Sequence, residues 1–180
     1  MTDAEMRGKI ADAIRTSTQE VFSTMLGMEA HVVDVFPHCR APHPTDGVVS
    51  LIGLVGPWVG SGSVVLGPEL ACKLTSALFM AEYSDVNGEV LDGVAEVTNM
   101  IIGNVKTFVE EMVGPMGLSI PTVIYGRNFA TRSLGNEDAW TVVRFLAQDM
   151  AMEVQVCLTT KREGFPASRL GFTTPVMAAK

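Results

Sequence analysis

Residues 89 to 113 of the chain read EVLDGVAEVTNMIIGNVKTFVEEMV. At about 100° per residue, six apolar side chains of this stretch fall within one arc roughly 80° wide. They are Val94, Val97, Ile101, Val105, Phe108 and Met112. The spacing predicts one long amphipathic helix with this arc buried. The break at Asn87-Gly88 and the pair Gly114-Pro115 set its two ends.

The opposite side of the predicted helix is polar. Its members are Asp92, Glu96, Asn99, Gly103 and Glu110, which lie about 180° from the apolar arc. A solvated helix face is the ordinary explanation for a single Glu and Asn at this spacing. Asparagine is a poor helix former, however, and glycine in a helix interior costs about 1 kcal/mol relative to alanine. The glycine would let another surface approach closely, although packing against a neighbouring element explains it equally well.

Outward from this helix, apolar periodicity and Gly/Pro breaks predict the remaining elements. They are a helix from Thr2 to about Gly27, strands at His31–Phe36, Val48–Val55 and Ser63–Leu66, a helix from Pro68 to about Tyr83, and strands at Ile120–Tyr125, Trp140–Phe145 and Met152–Thr159. This order predicts an α+β fold, a single-domain sandwich of a mainly antiparallel six-stranded sheet with long helices on one face. The domain is expected to span residues 1–160, followed by an irregular C-terminal tail at 161–180.

The composition excludes two classes of partner. Hydrophobic residues make up 47% of the 180 residues, and the formal net charge is -7. Such a chain folds around a core, but it lacks the basic surface that binds nucleic acid or an anionic membrane. We therefore expect a globular protein that binds neither.

Cysteine usage and the lack of targeting signals predict a cytoplasmic protein. Cys39, Cys72 and Cys157 are odd in number and far apart, which fits a reducing compartment. The N-terminus lacks the basic and apolar regions of a signal peptide. The longest apolar stretch, Val48–Val59, is shorter than the ~20 residues that a membrane-spanning helix needs.

Two other patterns carry weak signals. His38, Cys39 and His43 could ligate a metal, but they lack a clear fourth ligand and match no structural zinc spacing. Gly60-Ser61-Gly62 lacks the lysine of a phosphate-binding loop and is interpreted as the end of a hairpin. We therefore predict no metal site.

The polar stripe carries a specific motif. Asp92-x3-Glu96-x2-Asn99, followed after 21 residues by Pro121, resembles the pattern of the CheC, CheX and FliY family of chemotaxis phosphatases. At background residue frequencies, a chain of this length would contain all four positions by chance about 0.005 times. The sequence from Asn99 to Asn104 also resembles the family's sequence after the motif asparagine. The sequence around Pro121 resembles the family's strand after the helix. The resemblance covers roughly residues 4 to 160.

The first predicted helix holds a second, incomplete copy of the motif. Thr16-x3-Glu20-x2-Ser23 has the same spacing, but Ser23 supplies no carboxamide where the family has asparagine. CheC-like members carry two copies, so a single intact motif is similar to the CheX-like branch. The resemblance therefore implies one active surface on each chain.

The resemblance also implies an activity. Family members hydrolyse the phospho-aspartate of a CheY-like response regulator, which carries its own Mg²⁺, so this chain is expected to need no cofactor of its own. Asn99 would hold the attacking water, and Glu96 would accept a hydrogen bond from the regulator's lysine. Asp92, Met100 and Gly103 would belong to the partner-binding surface.

Three further expectations follow from the resemblance. Pro121 is expected to be structural, because its fixed φ would stiffen the start of the strand beside the helix. A homodimer is expected. The alternative function is a non-catalytic interaction module that binds a receiver domain or a flagellar switch component through the same surface.

Overall fold

A computed structural model describes residues 3–38, 45–129 and 140–160. These ranges contain three helices and seven strands. The helices are α1 (Asp3–Met25), α2 (Pro68–Phe79) and α3 (Gly88–Val113). The strands are β1 (Ala30–His38), β2 (Thr45–Val55), β3 (Trp58–Leu66), β4 (Gly117–Leu118), β5 (Thr122–Phe129), β6 (Trp140–Ala147) and β7 (Met150–Thr160). The predicted α+β class is confirmed, and the predicted tail lies outside the described residues.

The strands form one antiparallel sheet in the order β1-β6-β7-β3-β2, and β4 and β5 both pair with the free side of β2. Within the described residues, the sheet therefore has one strand more than the six predicted. The additional strand is β4, which has only two residues and pairs Leu118 with Leu54. Two residues are too few to give a periodic signal in the sequence.

The helices pack on the sheet face that carries its apolar side chains. Along β7, Met152, Val154, Val156 and Leu158 are buried in the core cluster with residues of all three helices, as the alternation in the sequence predicted. Each such side chain stabilises the fold by about 1.5–3 kcal/mol. The helix α1 lies over β1, β6 and β7, whereas α3 lies over β2, β3 and β5.

The boundaries of α2 and β3 correct two predictions. The helix α2 ends at Phe79 rather than near Tyr83, because Met80 takes a left-handed conformation with φ of 53°. Strand β3 begins at Trp58, so Gly60-Ser61-Gly62 lies within the strand and does not end a hairpin. A Cβ at Gly62 would lie 2.8 Å from the Ile102 side chain of α3, so this glycine lets the helix approach the sheet.

Two strands continue past the residues predicted to end them. Strand β1 continues through Pro37 to His38, which proline permits because β1 lies at an edge of the sheet. Strand β5 continues through Gly126 to Phe129, and its pairing with β2 shifts register between Thr45 and Gly47. Residues 39–44, between β1 and β2, lie outside the described ranges.

Two of the three cysteines lie in the described residues. Cys72 and Cys157 are both buried and both free. Burial raises the pKa of the Cys157 thiol to about 11, which keeps it in the unreactive thiol form. No described helix is long and apolar enough to cross a membrane.

Candidate functional site

The helix α3 is fixed at both ends. The side chain of Asn87 caps its N-terminus by accepting a hydrogen bond from the Val90 amide at 3.0 Å. At the other end, the Gly114 amide donates to the Glu110 carbonyl at 2.9 Å. Five apolar side chains of the arc are buried or packed against the core, namely Val94, Val97, Ile101, Val105 and Met112. The prediction was wrong for Phe108, which is 43% exposed.

The centre of the polar stripe is exposed, and its side chains are not bonded to other described residues. Asp92, Glu96 and Asn99 are all exposed, and none of them has a hydrogen bond or an ion pair with another described residue. Residues three apart on a helix have Cβ atoms about 5–6 Å apart, so Glu96 and Asn99 can enter the same small site on a partner. The helix is capped and its apolar face packs on the core, which fixes the position of the pair.

Glu110 lies on the same face but has a structural role. Its carboxylate is 2.9 Å from the Lys106 ammonium and accepts a hydrogen bond from the Met116 amide at 2.7 Å. These two interactions lower the pKa of Glu110, with the Lys106 hydrogen bond contributing most. Only 26% of its side chain is exposed. The stripe available to a partner is therefore shorter than the sequence predicted.

Two interior glycines of α3 differ in what surrounds them. A Cβ at Gly93 would collide with the side chain of Thr75 on α2, whose hydroxyl also donates to the Val90 carbonyl at 3.2 Å. A Cβ at Gly103 would meet only the Leu118 side chain, at an ordinary distance of 3.8 Å. Packing within the chain therefore requires Gly93, which no pattern in the sequence marks. The same packing does not require a glycine at position 103.

The remaining residues of the motif flank the stripe. Met100 is partly buried against the core beside Asn99. Pro121 is half-buried and immediately precedes β5. The connection before it is held to β2, because the Ser119 hydroxyl accepts a hydrogen bond from the Gly53 amide at 2.8 Å. Pro121 thus follows a segment that is anchored to the sheet on the side of α3.

Most of the possible metal site noted in the sequence lies outside the described ranges. His38 ends β1, whereas Cys39 and His43 lie in the segment that is not described. Within the described residues, no group of three or more His, Cys, Asp or Glu side chains could hold a metal ion.

The incomplete motif lies on the exposed side of α1. Thr16, Glu20 and Ser23 are all exposed. The Ser23 hydroxyl donates to the Glu20 carbonyl at 3.1 Å, so this short side chain is bonded back onto its own helix. It does not project from the helix as a carboxamide would.

We expect the double substitution Glu20→Ala with Ser23→Ala to leave receiver dephosphorylation within about threefold of the unmodified chain, a barrier change under roughly 0.7 kcal/mol. The physical reason is that Ser23 lacks an amide that could reach a buried phosphoryl group. Phosphate release and a binding titration would be measured together. Loss of half the binding sites in the titration would instead indicate two docking faces on each chain.

Comparison with known proteins agrees with this geometry. The family model described as chemotaxis phosphatase CheX matches residues 48–144, which is more than half of the chain. A curated relative from Thermotoga maritima, named CheY-P phosphatase CheX, is 28% identical over 133 residues, covering 72% of this chain and 84% of the relative.

Solved structures share the fold. A chemotaxis protein CheX from Desulfovibrio desulfuricans has a TM-score of 0.74 and 25% identity, covering 83% of this chain and 99% of that one. The CheX-CheY-BeF₃-Mg²⁺ complex from Borrelia burgdorferi has a TM-score of 0.70 and 25% identity, covering 82% of this chain and 96% of that one. The matched segment contains α3 with its exposed Glu96 and Asn99, and the chain belongs to the CheX family of chemotaxis phosphatases.

Proposed function

We propose that this chain is a phosphatase that removes the phosphoryl group from the phospho-aspartate of a CheY-like response regulator in chemotaxis or another two-component pathway. The observation that supports the proposal is the pair of Glu96 and Asn99, which is exposed on the capped helix α3 and has no hydrogen bond to another described residue. It is supported by a relative named CheY-P phosphatase CheX and by the similarity to a CheX bound to CheY.

Asn99 would position the water that attacks the phosphorus. In the reaction, the oxygen of water bonds to phosphorus, the bond from phosphorus to the aspartyl oxygen breaks, and the aspartate leaves as a carboxylate. Phosphoryl transfer needs positioning and electrostatic stabilisation more than covalent help from the protein. A neutral carboxamide can hold the water close to the phosphoryl group, whereas a carboxylate there would be repelled.

Glu96 would fix the register of the two proteins. It lies one turn from Asn99 on the same face, and its free carboxylate can accept a charge-assisted hydrogen bond from the receiver's lysine. Asp92 and Met100 would contact the receiver on either side of the pair. The proposal assigns the Mg²⁺ to the receiver and no cofactor to this chain. It places the protein in the cytoplasm, in keeping with its free cysteines, and takes it as a homodimer.

A substitution at Gly103 tests whether the receiver approaches the helix closely. We expect Gly103→Ala to stabilise the free protein by up to about 1 kcal/mol, because the new methyl group fits beside Leu118 and glycine is a poor helix former. It should also raise the KM for the phosphorylated receiver, because the methyl group would stand in the interface.

The matched control for this prediction is Gly8→Ala on α1. Gly8 is exposed, and a Cβ added there would have no neighbouring atom within 4 Å, so its substitution should bring a similar gain in thermal stability without touching the partner surface. Thermal melting and steady-state kinetics would be compared for both variants. A KM that is unchanged in Gly103→Ala would show that the receiver does not approach α3 at this position.

The proposed function can be tested with the chain and the phosphorylated receivers of its own genome. Inorganic phosphate would be followed over time for each receiver, with and without the chain. Faster release from at least one receiver is expected. Binding to a receiver without faster release would favour the alternative, a non-catalytic interaction module, which has no use for the amide of Asn99.

A further inference from the structure

An open cleft of about 350 Å³ lies beside the N-terminal end of α3, outside the motif. It is formed by the start of α2, the connection between α2 and α3, and one residue of β5. The lining includes Glu69, Cys72, Lys73, Tyr83, Asp85 and Tyr125. Nothing in the chemistry assigned to Glu96 and Asn99 uses these residues.

The cleft adjoins the motif surface through one hydrogen bond. The hydroxyl of Tyr83, in the wall of the cleft, donates to the Glu89 carboxylate at 2.6 Å. Glu89 is exposed and lies seven residues, or about two turns, before Glu96 on the same face of α3. At a rise of 1.5 Å per residue, Glu89 and Asn99 are about 15 Å apart along the helix axis. A protein seated on the motif is therefore within reach of the cleft.

The free charge in the cleft is negative. The Lys73 ammonium is 2.9 Å from the Glu69 carboxylate, so these two charges largely offset one another. Asp85 has no basic partner among the described residues and accepts a hydrogen bond only from the Ser84 hydroxyl, at 3.1 Å. The charge of Asp85 reaches into the cleft, because after burial it is the second cause that raises the pKa of the Cys72 thiol.

The lining also contains two aromatic rings. Tyr83 and Tyr125 stand on different segments, and Tyr125 is 48% exposed. A site that combines tyrosine rings with a free carboxylate suits a cation, and a guanidinium suits it best because it can both stack on a ring and hydrogen-bond to a carboxylate. Between Glu82 and Glu96 the chain carries five carboxylates and no lysine or arginine, which would repel an anionic occupant.

We propose that this cleft receives a basic side chain, an arginine by preference, from the phosphorylated receiver, and that it thereby selects which receiver the phosphatase acts on. This inference rests on the proposed function. It requires the receiver to carry a basic residue more than about 15 Å from the point that Asn99 enters, because Glu89, which bonds to the wall of the cleft, is that far from Asn99 along α3. Asp85 and Tyr125 are specificity-determining contacts in this arrangement, distinct from the residues that act on the phosphoryl group.

The test compares Asp85→Asn and Tyr125→Ala with the control Glu111→Gln. Glu111 is an exposed carboxylate at the C-terminal end of the same helix, so its substitution changes the net charge equally but leaves the cleft intact. Steady-state kinetics with the phosphorylated receiver would be measured at low and high salt. Each cleft variant should raise KM about three- to tenfold with kcat unchanged, because a contact made equally in the ground and transition states affects only KM.

Single substitutions of the receiver's arginines and lysines complete the test. One of them should raise KM as Asp85→Asn does, and combining the two should add little, because they remove the same contact. An unchanged KM in both cleft variants, or an equal rise in Glu111→Gln, would overturn the inference while leaving the phosphatase intact. If the unmodified chain releases no phosphate from any receiver, the proposed function fails, and the inference fails with it.

Discussion

Replacing Asn99 with alanine should remove nearly all acceleration of receiver dephosphorylation and leave the fold intact. Asn99 is exposed and makes no hydrogen bond to another described residue, so its loss removes nothing that holds α3 in place. Alanine is also the better helix former. Loss of the group that we propose aligns the attacking water should lower the rate by about 100-fold or more, as misplacement of a reacting group typically does.

The control for Asn99→Ala is Asn104→Ala. Asn104 lies on the same helix, half-buried and away from the motif stripe, so the same chemical change there should leave phosphate release nearly unchanged. Circular dichroism and thermal melting would confirm that both variants fold. If the folded Asn99→Ala protein kept its activity, Asn99 would not be the residue that positions the water.

The second large effect is expected for Glu96→Ala, which should weaken receiver binding and slow turnover together. A hydrogen bond to a charged partner that becomes desolvated in the complex contributes about 1.5–3 kcal/mol, which corresponds to roughly a 10- to 150-fold loss of affinity. Binding would be measured by titration with a receiver carrying a stable phosphoryl analogue. Unchanged affinity would mean that Glu96 does not meet the receiver's lysine.

The conservative variant Glu96→Gln separates charge from shape. It keeps the length of the side chain and its ability to accept a hydrogen bond, but it loses the charge. Its affinity should fall between those of the unmodified chain and Glu96→Ala, and the loss should shrink at high salt. Equal effects of the two substitutions at every salt concentration would indicate that the contact depends on charge alone.

Long periodic elements could be predicted from the sequence because their burial repeats over many residues. The helix α3 and the alternating strand β7 were both located by that repeat, and Glu96 and Asn99 are exposed as expected. Glu110 was misjudged for a different reason. Its hydrogen bond runs to Met116, beyond the end of the helix, and helical periodicity contains no information about the segment that follows.

Contacts between distant segments account for the other differences. Gly93 and Gly103 are both interior glycines of α3, yet only at Gly93 would a Cβ collide with another element of the chain, at Thr75. The end of α2 depends on Met80 adopting a left-handed conformation, which non-glycine residues rarely do and which the sequence therefore did not indicate. The cleft beside α3 also joins residues as far apart as Cys72 and Tyr125, and no local motif marks it.

A turnover measurement with limiting protein shows whether this chain catalyses hydrolysis. A phosphorylated CheY-like receiver in large excess would be mixed with a trace of the chain, and inorganic phosphate would be counted against the amount of chain added. We expect many phosphates to be released for each chain, at a rate proportional to its concentration. If phosphate release stayed at the receiver's own spontaneous rate for every receiver to which the chain binds, the chain would not be a phosphatase.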